Sequence, residues 1–362
     1  MKSNKIILSV CFSALIAAGF TSCDKKTEPV LTVTTPSYPR SLISANGKVY
    51  VSLFDGHVAQ LDTTSLSVEK TVAVGSNPEG IAFANNKIYV ANSGGLSTIN
   101  DSTISVIDPV TFKEIKRIKV VIDPVVLKAD AYGDLYLISM GNYSTIPYTL
   151  QRIEAATTEK VSVIQGLKPY NMTLNGDNVY LYSYDYDANY NVVNKSYSIY
   201  DVKSQKVTNS NFIASSAVAK TPYSIDVNPA TKDIYIGETD FLNNGKMYCF
   251  GQDGILKFSF DAGLNPTRTI FTNSNKGLFV LNQGKYKGNN AGLNYYDLTA
   301  STNYNDYFTT KNNRGLGDTG QDAIRYGSKL YIAVYNSSLI EVINASTGVS
   351  IKTIPMVTIT TK

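Results

Sequence analysis

Apolar residues fall in short alternating runs along this chain, and one arrangement returns seven times, an aromatic residue flanked by two apolar ones. The triplets are Val49-Tyr50-Val51, Ile88-Tyr89-Val90, Leu135-Tyr136-Leu137, Val179-Tyr180-Leu181, Ile234-Tyr235-Ile236, Leu278-Phe279-Val280 and Leu330-Tyr331-Ile332. Their centres stand 39, 47, 44, 55, 44 and 52 positions apart. A turn signal precedes each, from Asn46-Gly47-Lys48 to Tyr326-Gly327-Ser328. Asn-Gly between apolar runs accepts positive φ cheaply and predicts a hairpin. Six triplet centres follow a proline (Pro39, Pro78, Pro124, Pro169, Pro222, Pro266) by 11 to 13 residues, and Gly320 takes that place in the seventh repeat. Downstream, an apolar strand ends at Asp62, Asp108, Glu154, Asp201, Gln252-Asp253, Asp297 or Asn344, residues that cap a following turn by bonding its backbone.

Four strands in about 48 residues, repeated around the chain, predict an all-β fold: a seven-bladed β-propeller of four-stranded blades. No stretch sustains a 3.6-residue period, so helix is expected to be nearly absent. A β-solenoid fits less well, because its repeats are shorter and its ends need caps. Two segments compete to close the ring by adding a strand to the last blade, Leu31-Thr32-Val33-Thr34 and Val357 to Thr360.

Composition narrows the chemistry. Charged residues are 17% and hydrophobic ones 43%, too little charge density for a disordered chain. Lys and Arg number 33 against 29 Asp and Glu with no basic run, which excludes a phosphate-gripping nucleic-acid surface. The 26 Tyr, 25 Gly and single His make a poor acid–base enzyme. His57 follows Asp55-Gly56 and reads as a turn residue, and Cys249 in Lys246-Met247-Tyr248-Cys249-Phe250 reads as a buried, inert thiol. Neither can build a zinc site with the other. Asp185-Tyr186-Asp187-Ala188-Asn189 opens like a calcium loop but has Tyr190 and Ser196 where the loop needs glycine and glutamate. No catalytic residue, metal or cofactor is expected.

The N-terminus reads as an address. Lys2 and Lys5 precede an apolar run, Ile6 to Phe20, that is too short to span a membrane. It ends in Gly19-Phe20-Thr21-Ser22-Cys23, which resembles the bacterial lipoprotein signal, in which the cysteine is acylated and becomes the first mature residue. The expected organisation is a signal peptide over 1–22, a tether lipidated at Cys23 over 23–36, and a propeller over 37–362.

Ser76-Asn77-Pro78-Glu79-Gly80-Ile81-Ala82, Lys87-Ile88-Tyr89-Val90-Ala91-Asn92, Ser105-Val106-Ile107-Asp108 and Ile115 to Val120 resemble the YVTN-type propeller repeat from end to end. The resemblance extends over residues 37–356, with repeats four to six degenerate. Lipid-anchored members of that family sit on the outer membranes of Gram-negative gut bacteria, many known only as surface-layer-like proteins. One group, the BtuG type, captures cobalamin for a TonB-dependent transporter. The resemblance therefore implies a monomeric, cell-surface, outer-membrane lipoprotein, with a corrinoid as ligand and such a transporter as partner. The alternative is a scaffold that binds proteins or glycans at the cell surface.

In a four-stranded blade, the connection between the second and third strands opens on the same face as the segment leading into the blade. From triplet centre to acidic turn residue, repeats one and seven span 12 and 13 positions and repeats two to six about 17 to 21, so long loops rise on consecutive blades. These loops carry Tyr143, Tyr148, Tyr182, Tyr184, Tyr186, Tyr190, Phe241 and Tyr286, while Phe54 and Tyr335 sit on the low blades. The residues after the blade-leading prolines and Gly320 are Arg40, Glu79, Val125, Tyr170, Tyr223, Thr267 and Gln321, and they are expected to ring the mouth of the central channel. From these we expect a ligand-binding face made by Arg40, Phe54, Glu79, Tyr143, Tyr170, Tyr184, Tyr186, Tyr223, Phe241, Tyr286, Gln321 and Tyr335. Tyrosine offers a flat apolar face and a hydroxyl, which suits a large amphipathic ligand.

Overall fold

A computed structural model describes residues 32–95 and 101–361. The expected signal peptide and Cys23 lie outside the described residues. Seven four-stranded antiparallel sheets follow one another, each built from one contiguous stretch of chain. The innermost strands are Pro39–Ala45, Pro78–Ala84, Pro124–Ala129, Asn171–Asn175, Thr221–Val227, Pro266–Phe271 and Gly320–Tyr326. The chain is a seven-bladed β-propeller. Residues 35–358 form the compact unit that carries the blades.

Period-2 alternation explains why the triplets recur. In every blade the central aromatic packs in a core shared with the following blade, and its two neighbours pack in the core shared with the preceding one. Tyr50 lies with Ile88 and Val90, Tyr89 with Leu135 and Leu137, and Tyr136 with Val179 and Leu181. The series continues through Tyr180, Tyr235 and Phe279 and ends where Tyr331 of blade seven lies with Val49 and Val51 of blade one. One strand thus glues two interfaces.

The turns are as read. Asn46 and Gly47 have φ of 49° and 79°, the left-handed pair that a tight hairpin needs. Asp62 Oδ1 accepts from the Thr64 and Ser65 amides at 3.0 and 2.7 Å, and Asp108, Asp201, Asp253, Asp297 and Asn344 cap their turns in the same manner. Glu154, one methylene longer, instead accepts from the Thr158 hydroxyl at 2.6 Å. Among the described residues the single helix is Tyr307–Asn312, in the connection from blade six to blade seven.

Ring closure differs from both expectations. The outermost strand of blade seven is Ser350–Pro355, so neither chain end supplies a strand to it. Thr32–Pro36 and Val357–Thr361 pair with each other in a separate two-stranded sheet. The seam between blades seven and one is held by the Tyr331 core and by Asp322 Oδ2, which accepts from Ser41 Oγ and the Leu42 amide, both at 2.9 Å. Such a seam needs no exchanged strand, because the apolar interface is the same as at the other six.

Candidate functional site

In six blades the pairing of the innermost strand slips just after its first residue or, in blade five, its second, as between Pro39 and Leu42 or between Gly320 and Asp322. A bulge of this kind re-aims side chains that alternation would otherwise turn away. Consecutive residues therefore line one cavity at the centre of the ring: Arg40 with Ser41, Val125 with Val126, Thr267 with Arg268, and Gln321 with Asp322. Glu79, Tyr170 and Tyr223 complete the mouth. The volume is about 580 Å³, within the range of small-molecule sites.

The mouth is a fixed electrostatic frame. Arg40 forks onto Glu79, Nε to Oε2 at 2.6 Å and Nη2 to Oε1 at 2.7 Å, and donates from Nη1 to Gln321 Oε1 at 3.1 Å. Its guanidinium lies 5.3 Å from the Phe54 ring centre and 5.0 Å from that of Tyr335. Burial raises the Glu79 carboxyl, and the Arg40 guanidinium opposes that rise through its charge and its two hydrogen bonds. The Tyr223 hydroxyl donates to Gln283 Oε1, and Gln283 Nε2 reaches Gln321 Oε1 at 3.4 Å. Asp123 lines the wall beside blade two; burial pushes it up to about 6, while the Tyr143 hydroxyl donates to it at 3.3 Å.

Opposite this frame stands a ladder of tyrosines. Tyr143 meets Tyr148 edge-on at 6.0 Å, Tyr148 meets Tyr170 at 4.7 Å, and Tyr170 stacks on Tyr184 at 3.9 Å with the rings 3° from parallel. Tyr186 closes the row edge-on to Tyr184 at 5.5 Å. The row exists because blade four carries its length in its strands: Asn178–Tyr186 and Val192–Asp201 rise past the other blades as a hairpin. The Asp187 carboxylate accepts from the amides of Asn189 and Asn191 at the tip of that hairpin, so the segment read against a calcium loop uses its oxygens on its own turn.

Of the twelve expected residues, Arg40, Phe54, Glu79, Tyr143, Tyr170, Tyr184, Tyr223 and Gln321 line the cavity. Tyr186, Phe241, Tyr286 and Tyr335 do not. Phe241 and Tyr186 sit one ring behind Tyr223 and Tyr184, Tyr335 lies against Arg40, and Tyr286 stands exposed beside Lys287. Arg40 is held in an ion pair with Glu79, and Tyr170 and Tyr184 are half-buried in the packing of blade four. Sequence reasoning missed Ser41, Asp123, Lys128, Asn171, Arg268 and Asp322, which also line the cavity. A readable signal existed for three of them, since Lys128 and Arg268 are the single charges of their innermost strands and Asp322 shares its strand only with Arg325. His57, expected on a turn, instead opens the strand His57–Asp62 just past it, with Nδ1 3.2 Å from Asp55 Oδ1, and burial pushes the Cys249 thiol up to about 11.

No protein-family description and no curated protein matches the chain in sequence. Solved structures do match in shape. A Kuenenia stuttgartiensis hydrazine synthase chain superposes with a TM-score of 0.65 at 17% identity, covering 86% of this chain and 97% of that one. The β-propeller domain of Myceliophteria thermophila Cps50 (Swd1) gives 0.58 at 11% identity, with 88% and 97% covered. The computationally designed protein Ika8 gives 0.59 at 10% identity, with 88% and 87% covered. At these identities the likeness is one of fold alone.

Proposed function

We propose that this protein is a lipid-anchored outer-membrane propeller that binds a flat amphipathic ligand, a corrinoid, over its central mouth and passes it to a TonB-dependent transporter. The observation that carries the reading is the tyrosine row, with ring faces and hydroxyls turned along one wall of a cavity whose other wall is a rigid polar frame. Rings already stacked on one another lose little freedom when a ligand covers them, so their contact energy goes into affinity. The reading has no chemical step, and the residues named have none to perform.

Calorimetry with cobalamin and cobinamide, beside a panel of oligosaccharides, tests it. Corrinoids should bind, and Tyr184→Ala should weaken them at least tenfold, the loss of one interface hot spot. Because Tyr184 also packs on Tyr170, that variant will melt lower as well. Tyr143 is 66% exposed, so Tyr143→Ala should weaken binding with a smaller drop in melting temperature than Tyr184→Ala. Corrinoids that fail to bind the intact protein would overturn the reading. The anchor has its own test: Cys23→Ser should abolish lipid labelling and release the protein from the membrane, and unchanged labelling would remove the lipoprotein assignment.

A second reading rests on a separate cleft of about 530 Å³ beside blade four. Above Leu181 the strand face that elsewhere is apolar turns to Ser183, Ser196 and Ser198, with Gln165 and Lys168 across the gap. A hydroxyl-rich cleft favours a glycan, which is the reason for the oligosaccharide arm.

A further inference from the structure

We propose that the floor of the mouth cavity is an anion receptor, in which the Lys128 ammonium takes a carboxylate or phosphate group of the bound ligand. The proposal rests on the cavity being a binding site but not on the ligand being a corrinoid.

Four charges meet on the floor, and three of them are spoken for. Arg268 of blade six donates from Nη1 to Asp226 Oδ1 of blade five at 2.9 Å, and its Nε lies 3.4 Å from Asp322 Oδ1 of blade seven. The second oxygen of Asp226 accepts from the Thr269 amide at 2.7 Å. Asp322 Oδ1 also accepts from the Ala323 amide at 2.8 Å, and Oδ2 is taken by Ser41 and Leu42. Every carboxylate oxygen on the floor thus has a partner.

The Lys128 ammonium makes no hydrogen bond or ion pair with any described residue, although the side chain is partly buried and lines the cavity. Burial, and then Arg268 as a like charge, lower it to about 8 against the opposing pull of the Asp322 and Asp226 carboxylates, neither of which bonds it. Charges withdrawn from water are normally paired, and an exception calls for a reason. A neutral residue would fill this strand position at lower cost; blades one and two carry Ile43 and Ala82 at the equivalent register, opposite Tyr50 and Tyr89. The cation instead stands where it lines the open volume of the cavity. An acidic group entering from the mouth would meet Lys128 beyond the tyrosine wall, with the flat part of its molecule against the rings.

Benzoate and phenyl phosphate serve as probes, with benzyl alcohol as the neutral control, titrated by calorimetry and ligand-observed NMR into the full chain. Both anions should bind the native protein better than benzyl alcohol does, and Lys128→Gln should weaken them at least tenfold while leaving benzyl alcohol unchanged. Preference for one anion identifies the acidic group. Lys128→Met should also melt higher than the native protein, because the unpaired charge goes. A melting temperature that falls in Lys128→Met, with anion affinity unchanged in Lys128→Gln, would make Lys128 a distant counter-charge of the Arg268 cluster and overturn the proposal. Equal binding of benzyl alcohol and the anions would overturn it too. Corrinoids that bind an anion-indifferent protein refute this inference alone, and anion binding without corrinoid binding refutes only the reading of the ligand.

Discussion

Replacing Arg268 with methionine should destabilise the folded propeller by about 3 to 5 kcal/mol at neutral pH, the usual cost of removing one partner from a buried ion pair. Arg268 is the one cation bonded to Asp226, whose side chain is only 6% exposed, and it touches Asp322 as well. Methionine fills much of the same space, so little of the loss would come from a cavity. The pH dependence distinguishes this cause from simple misfit. Burial already raises the Asp226 carboxyl, with Arg268 the largest influence opposing it. Without Arg268 that raised value climbs further. A carboxyl raised in the folded state favours folding below its unfolded pKa and loses that contribution as pH rises through the folded value. The penalty should therefore be largest at pH 7 to 8 and shrink toward pH 4. Urea unfolding at both ends of that range measures it, and Asp226→Asn placed on top of Arg268→Met should recover part of the loss at pH 7.5. Equal penalties at pH 4 and pH 7.5 would show that the charge on Asp226 is not the cause.

The effect is expected to be large because of where the cluster sits. Asp226, Arg268, Asp322 and Ser41 come from blades five, six, seven and one, so this network spans the seam at the channel wall. It holds the frame on which the Arg40–Glu79 pair and Gln321 are mounted. A loosened floor should thus widen the mouth as well as weaken the fold.

Much of this architecture could be read from the chain because a propeller repeats one packing solution. Tyr89 and Tyr235 are buried for the same reason and against the same partners in the next blade, so a period-2 triplet with a turn before it marks every blade. Loop length was legible in part: blades one and seven connect their second and third strands through 54–56 and 335–338 and blades two, three and six through 93–102, 140–148 and 283–291, but blade four puts its extra length into its strands and turns through 187–191, and blade five turns through only 240–245. What escaped was set by geometry that leaves no periodic trace. The bulge after Pro39 or Pro222 is a slip in pairing, and nothing in the composition says that Ser41 as well as Arg40 will face the channel. Phe241 and Tyr286 sit on the right loops but their rings turn elsewhere, a matter of a few ångströms that repeat alignment does not resolve. The six residues of Tyr307–Asn312 are too few to display a helical period, and the helix is anchored instead by Phe308, buried in the core between blades six and seven. Closure was misjudged because a β-rich chain end suggests strand exchange, whereas the seventh interface is satisfied by its own apolar surface.

That last point can be tested at Tyr331. Its ring is fully buried between blade seven and blade one, against Val49, Val51 and Leu61. Tyr331→Ala should cost about 3 to 5 kcal/mol, the range for a buried aromatic truncation. The location adds a consequence that the same change at an interior blade would lack. The apolar core closes the seam together with the Asp322 bonds, the Arg40–Gln321 bond and the paired segments Thr32–Pro36 and Val357–Thr361, so a variant that empties the core should open there first. Hydrogen exchange should then show lost protection in Pro39–Ala45 and Gly320–Tyr326 before the rest of the ring. The hydroxyl of Tyr331 acts in the opposite sense. It is buried and finds no hydrogen-bond partner among the described residues, and burial pushes its pKa up to about 12. A hydroxyl in that position gives up its water without a replacement, so Tyr331→Phe should be neutral or stabilising by up to about 1 kcal/mol. The sixth repeat already carries this substitution at the equivalent position, where Phe279 fills the same kind of interface. Urea melts of the two variants together settle the cause. A large loss in Tyr331→Ala with none in Tyr331→Phe assigns closure to apolar packing at the seam, and a loss of similar size in both would mean that the hydroxyl holds a bond that closes the ring.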